Sequence, residues 1–214
     1  IKVYDDSATP ERVLATLSEA LGRGELLILP TDTRYSLCGD ALNQVCVKAL
    51  ARIKGVEVER TTFSLLLSNL SQVSEYARMD DSAFRLMRRN CPGPFTFVLP
   101  AGHNLPRLYR GRKEVGIRIP RHCFVRELVD YFGHPLTGFS LPLDRDSTDD
   151  EAYGYDPSLM EEQWGNEVAY VVDGGIGQLV DSTVVSCLQE PFEVIREGVE
   201  AVSYTHLRAH ETPE

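Results

Sequence analysis

The 214-residue chain is 43% apolar and 25% charged, enough to bury one good core and too apolar for general disorder. No apolar run approaches the roughly 18 residues of a membrane span, and no leader-peptide pattern is visible. The five cysteines (Cys38, Cys46, Cys91, Cys123 and Cys187) are scattered, odd in number and without a C-x-x-C pair. That argues against a disulfide framework or a zinc ribbon and for a reducing compartment, with a cytoplasmic location expected.

In chain order, Thr9-Pro10 opens a helix through "ERVLATLSEALGRGE". Thr9 is placed to cap it, Pro10 suits the first helical position, and Val13, Leu14, Leu17 and Leu21 share one face. "ELLILP" reads as a short buried strand, and "LPTDTRYSLCGD" as a polar turn at its end. A second helix is expected from about Asp40 to Lys54, capped by Asp40, with Val45, Val47, Ala49, Leu50 and Ile53 apolar and Gly55 closing it. "TTFSLLL" is a strand. Helical stretches follow around Ser71–Ala77 and Ser82–Arg89, the latter broken by "CPGP".

"FTFVLP" and "VGIRIP" are strands, "CFVRELVDYF" is a helix and "HPLTGFSL" is a strand that runs into an acidic, loop-like stretch. "EVAYVVDGG", "STVVSCL" and "FEVIREG" supply three more strands. Helices and strands alternate early while strands cluster late, which predicts an α/β domain with a mixed, twisted sheet over residues 1–202. Residues 203–214, "SYTHLRAHETPE", lack a sustained apolar face and read as a non-native or disordered tail.

The net charge of −10 is unevenly spread. Between Phe84 and Arg126 ten basic residues face one acid, Glu114; between Asp144 and Asp173 ten acids face one base, Arg145. A basic segment in an acidic chain suggests an anionic ligand such as a nucleotide or RNA. The alternative is a solvated surface whose charges folding spreads apart.

Five segments are candidates for chemistry. In "LPTDTRYSLCGD", Thr31, Thr33 and Ser36 are hydroxyls at a strand end, where open α/β sheets commonly bind ligands; the same residues can simply bond their own backbone. Lys54 ends a helix and could meet a phosphate or only complement the helix dipole. In "VGIRIPRH", Arg118 lies between Ile117 and Ile119, so alternation puts it on the opposite sheet face. It needs a partner there, either a ligand carboxylate or phosphate or an internal acid. "VVDGGIGQLVDSTVV" is glycine-rich but matches neither a P-loop nor G-x-G-x-x-G. Arg196 in "VIREG" is a further basic residue at a strand end.

In this order, P-T-D-T-x-Y, I-K-G, "PGPFTFVLPA", "GIRIPRH", "DGG…STVV" and "IREG" resemble the YrdC/YciO family, over about Ala8 to Gly198. "PGPFTFVLP" together with "GIRIP" is the most specific part. The resemblance implies a single YrdC-like α/β domain, its twisted mixed or antiparallel sheet and flanking helices surrounding a basic cavity. The family contains the threonylcarbamoyl-AMP synthases of tRNA modification, which join L-threonine, bicarbonate and ATP to give threonylcarbamoyl-AMP and pyrophosphate. It therefore implies ATP as substrate, with Mg²⁺ to neutralise the leaving pyrophosphate, and no dedicated metal-ligating residues.

Position by position, the resemblance makes Thr31, Arg118 and Ser182 substrate-binding residues, with Arg118 on the threonine carboxylate. It makes Lys54, Ser140 and Arg196 nucleotide-binding residues. It identifies no catalytic group. The family's K-x-R reads Lys54-Gly55-Val56 here, without the arginine, and Arg60 is the nearest basic residue in sequence. S-x-N reads Ser140-Leu141-Pro142, without the amide, and Ser36 stands where a glycine is expected after Tyr35. Each lost group could cost about 2–4 kcal/mol of transition-state stabilisation. These departures are similar to the YciO branch, and the alternative they imply is an RNA- or nucleotide-binding protein, for tRNA or double-stranded RNA, with weak or no synthase activity.

Overall fold

Apolar spacing in the first helix decides how the layers stack. In α1 (Glu11–Gly22), Leu14, Leu17, Ala20 and Leu21 are buried on one stripe. They pack against α5 (Cys123–Phe132), whose Phe124, Val125, Leu128 and Val129 form the matching stripe. Full burial of each such side chain contributes roughly 1.5–3 kcal/mol. The computed structural model of the chain describes residues 1–61, 63–141 and 151–200.

Between these helices and the rest runs a nine-stranded sheet, counted among the described residues. Its strands are β1 (Leu27–Leu29), β2 (Ser36–Asp40), β3 (Ser64–Leu66), β4 (Phe95–Pro100), β5 (Glu114–Arg118), β6 (Leu136–Ser140), β7 (Tyr170–Val171), β8 (Thr183–Ser186) and β9 (Glu193–Arg196). The spatial order is β7-β1-β2-β6-β3-β5-β4-β8-β9. The pairs β1–β7, β3–β5 and β4–β8 are parallel and the other five antiparallel, so the sheet is mixed as the sequence predicts.

Alternation along the strands divides the core in two. Leu27 and Leu29 join the cluster under α1 and α5, whereas Ile28 joins the larger cluster on the other face with Phe95, Phe97 and Trp164. That larger cluster is covered by α2 (Gln44–Lys54), α4 (Asp81–Asn90) and α6 (Pro157–Trp164), with the short α3 (Val73–Tyr76) beside them. Among the described residues no helix is long and apolar enough to cross a membrane.

Four local expectations are corrected. Pro10, not Thr9, is the N-cap of α1, and no side chain caps it; the Thr9 backbone N–H instead donates to Glu127 Oε2 of α5 at 3.0 Å. Asn43, not Asp40, caps α2 by accepting from the Val45 N–H at 2.9 Å, because Asp40 is still in β2. Val45, expected on the apolar face of α2, is exposed. "SLCGD", read as part of a turn, is strand β2, buried along its whole length. Within the acidic stretch α6 forms, capped by Asp156 with Pro157 in the first helical turn, and its Met160 and Trp164 are buried one turn apart. The expected tail at 203–214, Pro142 of the S-x-N position and most of the acid-rich run before Glu151 lie outside the described residues.

Candidate functional site

On the sheet face that carries α1 and α5, the strands beyond those helices are uncovered among the described residues and lined by small residues. A cavity of about 550 Å³ lies over them. Its floor takes every second residue of several strands: Ser36 and Cys38 from β2, Gly138 and Ser140 from β6, Ser64 and Leu66 from β3. Gly116 and Arg118 of β5 and Thr96 and Val98 of β4 continue it. Register sets these abreast, since Ser36 lies opposite Ser140, Ser64 opposite Gly138, and Thr96 opposite Arg118. Glycine is required at 138, where a Cβ would stand 2.0 Å from the Leu37 carbonyl oxygen of the neighbouring strand.

Arg118 is 5% exposed, and one terminal nitrogen donates to Asp32 Oδ1 at 2.7 Å, Thr33 Oγ1 at 2.7 Å and Thr31 Oγ1 at 3.1 Å. Its partner is thus an internal acid, Asp32, which also accepts the Arg121 backbone N–H at 2.9 Å. The Nε–H of Arg118 is buried without a partner among the described residues. Thr31 does not line the cavity. Its hydroxyl donates to the Arg34 carbonyl at 2.7 Å and accepts from the Thr33 N–H at 3.1 Å, so it braces the loop that holds Arg118.

Ser182 and Arg196 form a second group. Arg196 Nε and one terminal nitrogen donate to the Ser182 carbonyl at 3.1 and 2.9 Å, and that nitrogen reaches Ser182 Oγ at 3.0 Å. Ser182 Oγ lies 2.9 Å from Thr96 Oγ1, which ties this corner to the floor. Lys54, the last residue of α2, holds its ammonium 5.4 Å from the Phe63 ring centre and 5.2 Å from that of Phe139. Partial burial lowers its pKa, and the nearby Arg196 charge lowers it further. The structure therefore brings Lys54, Arg118, Ser140, Ser182 and Arg196 to one cavity, with Thr31 one layer behind.

Sequence reasoning missed Arg34 as a site residue. It lines the cavity, and its Nε–H donates to Asp181 Oδ1 at 3.0 Å. Among the described residues the lining thus holds four cations (Arg34, Lys54, Arg118, Arg196) and two acids (Glu114, Asp181). Two of the cations, Arg34 and Arg118, are ion-paired; Lys54 and Arg196 have no carboxylate within 4.0 Å among the described residues. Arg60 does not substitute for the arginine missing from K-x-R: it pairs with Glu57 at 2.8 Å on the exposed surface. Burial pushes the Cys38 thiol at the floor up to about 12, which leaves it protonated and unreactive near neutrality.

The glycine-rich "DGGIG" connection wraps a core tyrosine. Tyr35 O–H donates to the Gly175 carbonyl at 2.6 Å and accepts from the Gly174 N–H at 3.0 Å. Much of the basic segment, including Arg85, Arg88, Arg89, Arg107 and Arg110, is exposed and away from the cavity lining.

A family model for Sua5, YciO and YrdC proteins, carrying the description "Telomere recombination", matches residues 19–198. The chain belongs to the Sua5/YciO/YrdC family. Within that family it is 29% identical over 191 residues to the uncharacterized protein YciO of Escherichia coli strain K12, covering 88% of this chain and 90% of YciO. The crystal structure of E. coli YciO superposes with a TM-score of 0.81 at 26% identity, over 93% of this chain and 95% of that one. The threonylcarbamoyl-AMP synthase of Bacillus subtilis is 29% identical over 215 residues, covering 94% of this chain but only 60% of the synthase. Pyrococcus abyssi Sua5 complexed with L-threonine shares the fold, with a TM-score of 0.80 at 24% identity over 95% of this chain and 59% of that one.

Proposed function

We propose that the cavity binds ATP and L-threonine and, with bicarbonate, forms threonylcarbamoyl-AMP for tRNA modification. The observation that carries this reading is convergence. Residues from five distant segments (Lys54, Arg118, Ser140, Ser182 and Arg196) meet on one uncovered sheet face around a ligand-sized cavity. In the reaction the threonine amine takes up CO2 from bicarbonate, with loss of water, to become a carbamate. A carbamate oxygen then attacks the α-phosphate of ATP, and pyrophosphate leaves.

Lys54 and Arg196, the two lining cations without a carboxylate among the described residues, suit the phosphates. Arg118 suits the threonine carboxylate, with Asp32 fixing the guanidinium plane. Among the described residues no three His, Cys, Asp or Glu side chains converge to hold a metal. Magnesium would enter as an ion carried by the phosphates, and no protein ligand is assigned to it.

The test is incubation with labelled bicarbonate, threonine and ATP, with a synthase as positive control. Labelled adenylate and stoichiometric pyrophosphate are expected, and product no higher than the blank would refute the synthase reading. A second reading, nucleotide or RNA binding without turnover, draws support from the missing K-x-R arginine and S-x-N amide. It is favoured by binding of ATP without pyrophosphate release. Its RNA form requires affinity for tRNA or double-stranded RNA that falls steeply with salt, through exposed arginines such as those of α4.

A further inference from the structure

Arg34 occupies the variable position of P-T-D-T-x-Y, so nothing in the motif assigns it a role. Among the guanidinium groups lining the cavity it is the least committed. Arg118 spends one terminal nitrogen on three acceptors and buries its Nε, while Arg196 spends Nε and a terminal nitrogen on Ser182. A guanidinium carries five N–H donors. In Arg34 only Nε–H has a partner among the described residues, the Asp181 carboxylate at 3.0 Å. The side chain is nonetheless held, being 14% exposed. Both terminal nitrogens are thus without a partner among the described residues, on a cavity-lining side chain whose plane a carboxylate fixes.

Its place is as informative as its valence. The Leu141 N–H donates to the Tyr35 carbonyl at 2.9 Å, which sets Arg34 next to the end of β6, where the S-x-N segment loses its amide. On its other side Asp181 adjoins Ser182, to which Arg196 is bonded. Arg34 thus stands between the two nucleotide-side corners of the cavity. We propose that Arg34 is a phosphate-binding residue of this cavity, supplying the donors that the chain's K-x-R and S-x-N segments lack, with Asp181 orienting it through Nε. The inference rests on the nucleotide-binding reading above and adds a residue that the family motifs do not contain.

The test is calorimetric titration of wild type, Arg34→Gln and Arg34→Lys with ATP, tripolyphosphate, adenosine and L-threonine. Arg34→Gln is expected to weaken ATP and tripolyphosphate about 30-fold, as for loss of a charged hydrogen-bond donor. Adenosine and threonine should change less than about twofold. Arg34→Lys, which keeps the charge but not the fork, should recover most of the loss. Unchanged ATP affinity in Arg34→Gln, or equal weakening of all four ligands, overturns the role of Arg34 while the nucleotide reading stands. If wild type binds neither ATP nor tripolyphosphate, the nucleotide reading fails and takes this role with it.

Discussion

One face of one sheet is finished in two ways, and the contrast explains where the site lies. Toward β1 the sheet presents Leu27 and Leu29, and α1 and α5 cover them. Toward β4 and β8 the same face presents Ser36, Ser64, Thr96, Gly116, Gly138 and Ser140, and a cavity replaces the helices. Cys38 and Leu66 stand on the border, belonging to both the packed cluster and the cavity wall. Small polar side chains bury too little apolar area to hold a helix and leave volume for a ligand. The backbone underneath is continuous, and side-chain size divides the packed half from the cavity.

The largest effect should come from closing the gap that the open half depends on. Gly138→Val forces a side chain where even a Cβ would stand 2.0 Å from the Leu37 carbonyl, and a loss above about 4 kcal/mol is expected in denaturant unfolding. Next comes the buried pair. Arg118→Met leaves Asp32 uncompensated and should cost about 3–5 kcal/mol, with much of that recovered when Asp32→Asn is added. In the packed half, Leu128→Ala should cost about 2–5 kcal/mol while ligand-induced thermal shifts persist, since Leu128 does not itself line the cavity. Loss of those shifts would show that the two halves are not separable.

A further effect is one of pH. Burial raises the Cys38, Cys91, Cys187, Tyr35 and Tyr109 pKa values to about 12. Above the ordinary cysteine value of 9.0 the unfolded chain loses these protons while the folded chain keeps them. Stability should thus be fully present below pH 9 and fall as pH rises toward about 12. A flat alkaline profile in urea unfolding would contradict this.

The packed half was legible in the sequence because helical and strand periodicities express burial directly, as in Leu14, Leu17 and Leu21. The open half was less so. "SLCGD" hides strand β2 because Ser36 lines the cavity floor and Gly39 packs tightly against Leu26 and Cys46 on the other face, where strands more often carry Val, Ile and Thr. Arg118 was legible from alternation alone. Its partner was not, because Asp32 lies 86 residues earlier and meets it only through the order of strands. Helix α6 did carry a signal in Asp156-Pro157 followed by Met160 and Trp164, masked by the acids around it. The place of Arg34 required the Tyr35–Leu141 bond, which no local pattern encodes.

The position of β6 has a consequence for how the molecule forms. It lies between β2 and β3, and its Thr137 hydroxyl bonds the Ser64 carbonyl across 73 residues of chain. Until residues 136–140 emerge during synthesis, β2 and β3 each present an unpaired edge, and such edges recruit other strands. The contacts that close them are long-range, which slows folding. The floor of the cavity is therefore a late-assembling seam, and the nascent chain is most exposed to aggregation just before that seam is sewn.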